Sequence, residues 1–166
     1  MATTFKKIAS VTVGSGGSST IDFTAIPSTY TDLIMIVSGK ASSVSQSLRA
    51  TFNGDTASNY STTFLSGNGT AATSSRETSR SDGILFGVAT TSGNSACIGQ
   101  INDYSNTNTF KTLIGRRGSG SNANVAADVG LWRNTAAINT IAITLDGSQN
   151  IAAGSTFKLY GIEAYK

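Results

Sequence analysis

The side chains able to carry out chemistry are few in this chain and widely spaced. It has 166 residues with no histidine, one cysteine (Cys97) and nine acidic residues. Without imidazole there is no Ser-His-Asp or Cys-His relay and no histidine metal site. A single cysteine rules out an internal disulfide and a thiolate zinc site, so cysteine use leaves the compartment unread. A glycosidase needs two carboxylates held about 5–9.5 Å apart across a cleft. Here most acids fall at expected turns or strand ends, where Asx-turns and solvation account for them. Asn53-Gly54-Asp55, with Ser58 and Asn59 nearby, offers too few carboxylates for calcium and reads as a hairpin turn. The glycine-rich segments 14–19 and 118–123 have no lysine after their last glycine, and strands rather than helices follow them. A phosphate loop delivers its anion to a helix N-terminus, so these segments read as turns. Asn59-Tyr60-Ser61 and Asn68-Gly69-Thr70 match the glycosylation pattern, as chance predicts in a chain so rich in Ser and Thr. Cys97 is expected to be a small buried hydrophobe. These residues predict no catalysis, no metal and no cofactor.

The elements that must position these residues are strands. Leu48, Ala50 and Phe52 alternate with Arg49, Thr51 and Asn53, and Ile141, Ile143 and Leu145 alternate with Ala142 and Thr144. That is the period of a half-buried strand. Val125, Ala127, Val129 and Leu131 share one face, expected to be the core face, with Asp128 on the other. Leu33-Ile34-Met35-Ile36-Val37 is apolar on both faces and predicts a central strand covered on both sides. Further strands are expected at 5–13, 20–23, 60–65, 83–89, 96–103, 110–116 and 156–165. Glycine and Asn-Gly pairs punctuate these runs and supply the positive φ of tight turns. No window carries the apolar stripe of a helix. Many short strands with regular turns predict one all-β domain, an antiparallel two-sheet β-sandwich of jelly-roll type. The polar segment 66–81 is expected to be a long exposed loop, with a short helical turn conceivable at 75–79.

Ser, Thr, Asn and Gly supply 77 of the 166 residues, so the surface is polar but carries little long-range field. The net charge of +3 comes from 12 basic and 9 acidic residues placed singly, which is not a nucleic-acid footprint. No apolar run is long enough for a signal peptide or a membrane span. A weakly charged surface lets many copies sit close together, which suits a component of a large repetitive assembly.

Three segments, read in order, carry a resemblance: TIDFTAIPSTYTDL at Thr20 to Leu33 with the apolar run after it, FNGDTASNYS at Phe52 to Ser61, and FKLYGIEAY at Phe157 to Tyr165. Together they resemble the small β-sandwich virion structural proteins of tailed bacteriophages, especially phages of marine and cyanobacterial hosts. The resemblance implies a capsid decoration (cement) protein located in the virion, binding the major capsid protein or other virion proteins, and a homo-oligomer, with a trimer favoured. It also admits a tail fibre or receptor-binding head domain that recognises a host glycan. A first strand beginning by Phe5 leaves little room for a fibre's attachment region, which favours decoration. Candidate interface residues are Phe5 and Ile8 on the first strand, Arg76 and Arg80 in segment 66–81, and Arg116 with Arg117. Arginine's planar fork suits an acidic partner surface or an anionic glycan, although solvated loop charge is the plainer reading. Trp132 and Tyr104 could stack on sugars, but the position of Trp132 after an apolar face favours packing.

Overall fold

The computed structural model describes residues 4–121 and 123–163. Among them run twelve strands: β1 (Phe5–Thr12), β2 (Thr20–Phe23), β3 (Asp32–Gly39), β4 (Gln46–Phe52), β5 (Tyr60–Gly67), β6 (Ala72–Arg80), β7 (Ile84–Ala89), β8 (Ser95–Ile101), β9 (Lys111–Gly118), β10 (Val125–Trp132), β11 (Ile141–Leu145) and β12 (Thr156–Ile162). One 3-10 turn, Asp146–Ser148, follows β11. The strands form an eight-stranded sheet, in the order β1-β12-β3-β8-β9-β10-β5-β6, and a four-stranded sheet, β2-β11-β4-β7. Every paired strand is antiparallel to its neighbour. The chain is thus an all-β sandwich of two packed antiparallel sheets, as the periodicity predicts. The unequal division into eight and four strands does not confirm the jelly-roll connectivity.

The core lies between the sheets. Ile21, Phe23, Leu48, Ala50, Phe52, Ile141 and Ile143 of the small sheet meet Met35, Val37, Leu113, Phe157 and Leu159 of the large one, and all are buried. One crossing is unusually close. β7 lies over Gly99, Gly115 and Gly130, which sit on the inner faces of β8, β9 and β10. A Cβ at Gly130 would overlap Ile84, and one at Gly99 would press on the Phe86 ring at 3.4 Å.

That crossing overturns the expected facing of β10. Ala126, Asp128, Gly130 and Trp132 point inward, while Val125, Ala127 and Val129 are exposed and Leu131 is half-buried. The inner face must be small at Gly130, where Ile84 of β7 presses on it, and the valines of this strand lie on the outer face, while Trp132 fills the core beyond the crossing. β3 differs from expectation in a related way. Leu33, Met35 and Val37 enter the core, but Ile36 is 42% exposed on the outer face. The strand is central in its sheet, yet its second face is uncovered at that position.

Segment 66–81 is not a loop. Asn68 caps a turn by accepting from the Thr70 and Ala71 amides, and β6 then pairs along β5. An edge strand takes its ladder from one neighbour and needs no apolar run, so its polar sequence hides it. A helical turn at 75–79 is likewise absent, since Ser75–Ser79 belongs to the extended strand, with a bulge near Ser79 at φ 54°. Asn53-Gly54 does make a tight turn, with φ of 53° and 68°, but it leads from the small sheet to the large one rather than closing a hairpin. Asp55 anchors this crossover, accepting from Trp132 Nε1 at 2.7 Å, Asn59 Nδ2 at 2.9 Å and the Ala57 amide at 2.9 Å. The expected last strand ends earlier, at Ile162, and positions 164–165 lie outside the described residues.

Candidate functional site

In an antiparallel sheet, partners in register share a face, so the outer face of the large sheet can be read row by row. One row runs Lys158, Ile36, Ile98, Arg116, Ala127, Leu65, Ser74. The next runs Lys7, Tyr160, Ile34, Gln100, Ile114, Val129, Thr63, Arg76. On the other side of the first row lie Ser38, Ala96, Gly118, Val125, Gly67 and Ala72. Among the described residues, eight large hydrophobic side chains are exposed, and six of them stand on this face: Phe5, Ile36, Leu65, Ile114, Val125 and Val129. Scattered apolar exposure is ordinary, whereas exposure concentrated on one sheet face marks a contact surface. A trough of about 780 Å³ opens over the face, walled by Ile36, Ile98, Leu65, Val125 and Ala127, with Arg116 in its lining.

The charges on this face whose side chains are unpaired among the described residues have one sign. Lys7, Lys158, Arg116 and Arg76 are exposed, and none of their side chains has a hydrogen bond or ion pair among the described residues. The acid at the margin, Asp32, is already occupied, accepting from Gln100 Nε2 and the Asp103 amide, each at 2.9 Å. The outer face of the small sheet is different in kind. Thr20, Asp22, Ser47, Thr51 and Thr144 stand there, and the apolar residues in register with them, Leu85, Val88 and Ala142, are buried or half-buried, so the exposed part of that face is polar.

The structure thus divides the expected interface residues. Phe5, Arg76 and Arg116 lie on the outer face of the large sheet, the last two in adjacent rows. Ile8 sits at a bulge of β1, half-buried against the core. Arg80 is paired with Asp82 at the end of β6. Arg117 is not a loop charge: it lies in β9 one residue on from Arg116 and therefore faces inward. There its Nε donates to Asp128 at 3.0 Å, and its guanidinium stands 5.8 Å from the Phe64 ring centroid. Asp128 is fully buried, and burial pushes its carboxyl above the ordinary range against the pull of Arg117. Trp132 and Tyr104 are fully buried, which removes both from any sugar-stacking surface. Cys97 is buried as expected, and burial pushes its thiol up to about 11.

One ionic cluster escaped the sequence reading. Arg49 is 2% exposed, yet its guanidinium holds Glu77 at 2.8 and 3.0 Å, Asp146, and Asp82 at 3.5 Å. It ties β6, the far edge of the large sheet, to β4 and the 3-10 turn of the small one. Burial opposes the charge on Arg49, but its bonds to Glu77 and Asp146 outweigh this and raise its pKa. The hydrogen bond from Arg49 holds Glu77 below the usual carboxylate range. Asp82 is also lowered, because Arg80 and Arg49 outweigh its burial. The only local signal was an arginine between Leu48 and Ala50; its partners lie 28 and 97 residues away.

Among the described residues no group of three or more His, Cys, Asp or Glu side chains is placed to hold a metal ion. Fold and surface together define an antiparallel β-sandwich with one uncovered sheet face that is apolar and basic. No protein-family model and no curated protein matches the chain.

Proposed function

We propose that this chain is a non-catalytic structural protein of a tailed-phage virion, a capsid decoration protein that attaches through the outer face of its large sheet. The observation that carries the reading is the concentration of exposed Ile36, Leu65, Ile114, Val125 and Val129 on one face while the opposite face of the sandwich is polar. Covering the exposed halves of such side chains returns about 1 kcal/mol each, which offsets part of the cost of association. The ionic groups within the sandwich support the same reading, because Arg49 and the Arg117–Asp128 pair are engaged in holding strands together. The resemblance of the three segments supplies the virion, and the low charge density suits close packing of copies. The test is the copy number of the chain in purified particles of the phage that encodes it, by quantitative mass spectrometry. Hundreds of copies per particle are expected. A dozen or so would assign it to the tail, and turnover of any polysaccharide by the isolated protein would overturn a non-catalytic role.

A further inference from the structure

We infer that the trough on the outer face is a docking site for a segment of a non-identical protein that carries apolar side chains with a carboxylate among them, the carboxylate pairing with Arg116. The inference rests on the attachment role above and names what the attaching face takes. Charge and shape carry it. Arg116 stands in the central row of the face, with Ile98 on one side and Ala127 on the other, and it has no partner within the described chain. A guanidinium in an apolar trough is strengthened by a carboxylate that approaches both its N–H edges, since the surrounding side chains exclude water from the pair. Lys158 lies at one end of the same row, and Arg76 lies in the row beside it, so the whole face favours an acidic occupant.

The same charges argue against a second copy of this chain. Two copies placed face to face would set Arg116, Arg76, Lys7 and Lys158 against one another, and the margin acid Asp32 is already engaged by Gln100 and the Asp103 amide. Like charges brought together in an interface suppress that pairing. The apolar walls require side chains to fill them, so a free acidic ion would not fit the trough either.

The test is selection of a random peptide display library on the immobilised full chain, repeated on Arg116→Glu and Arg116→Met. Arg116 is exposed, so both variants should fold, and a thermal melt checks this. The wild type should enrich peptides that combine Leu, Ile, Val or Phe with Asp or Glu. Arg116→Glu should bind those peptides about tenfold or more weakly and instead enrich peptides bearing Lys or Arg. Arg116→Met should keep the apolar preference and lose the acidic one. Enrichment without acids, equal binding by wild type and Arg116→Glu, or no enrichment above background would each overturn the inference. So would sedimentation showing that the chain pairs with itself and that Leu65→Asp abolishes the pairing. Copy number in the particle is a separate readout. A chain present in hundreds of copies whose Arg116→Glu variant attaches normally keeps the decoration role and loses this docking site.

Discussion

Two arginines on neighbouring layers of the sandwich show how a weakly charged chain uses its charges. Arg117 and Asp128 form a buried pair, in which loss of one partner strands the other without water. Arg117→Met should therefore cost about 3 kcal/mol at neutral pH, measured by urea denaturation. Because burial already raises the Asp128 pKa, the folded protein keeps that proton to higher pH than the unfolded chain does. Stability from this group is present below the ordinary carboxylate range and is lost as pH rises through the raised value. The deficit of Arg117→Met should accordingly shrink as the solution is acidified, and Asp128→Asn should be the milder variant. The Arg49 cluster has the opposite sign. Glu77 and Asp82 have lowered pKa values, so their contribution is present above the ordinary carboxylate range, near 4, and disappears as pH falls through the lowered values. Melting temperature should fall between neutral and strongly acidic pH, and Arg49→Met should start lower and show a flatter acid slope. An unchanged acid slope in that variant would show that the cluster does not govern the transition.

At the scale of elements, the close approach of β7 to β8, β9 and β10 determines much of the fold. Gly130→Val would drive a side chain into Ile84 and should cost about 1–3 kcal/mol by overpacking, whereas Gly118→Ala, with open space around it, should stay within about 0.5 kcal/mol. Denaturant titration of the two variants separates the effects. The same crossing explains what could be read from the sequence. Strands facing the other sheet with a bulky core face, such as Leu48-Ala50-Phe52 and Ile141-Ile143-Leu145, announce themselves by period two, and their facing was legible. β10 has the same period with its faces exchanged, because sequence bulk identifies an apolar face without saying what covers it. The valines of β10 and Ile36 of β3 belong to a face that the described residues leave open. β6 was illegible for another reason: its pairing comes from β5 and its anchor from Arg49, neither of which leaves a local periodic mark. Glu77→Ala should loosen that anchor, and amide exchange should quicken along β6 while β9, in the middle of the sheet, stays protected. Equal quickening in both strands would mean that the anchor stabilises the whole fold instead of its edge. Among the candidate site residues, Arg116 and Arg117 are adjacent in sequence and only the pleat separates their roles, which is why charge alone selected both.

The molecule has two unlike outer surfaces, one polar, the other apolar with four cations whose side chains have no partner among the described residues. Such an asymmetry orients the protein on any surface it meets, since only one side gains from losing water. In the proposed attachment, binding strength comes mainly from the apolar rows, with Arg116 selecting the partner, so attachment should respond differently to the two kinds of perturbation. Ile114→Thr combined with Val129→Thr removes apolar surface from the centre of the face without touching the core. This double variant should melt within a few degrees of the wild type, bind less of a hydrophobic dye such as ANS and attach more weakly to the proposed capsid partner at every ionic strength. Raising salt on the wild type should weaken attachment only gradually, because screening acts on the few charge pairs and leaves apolar burial intact. A steep salt dependence in a binding titration, together with normal attachment of the double variant, would shift the adhesive role from the hydrophobic rows to the cations and require a different contact geometry.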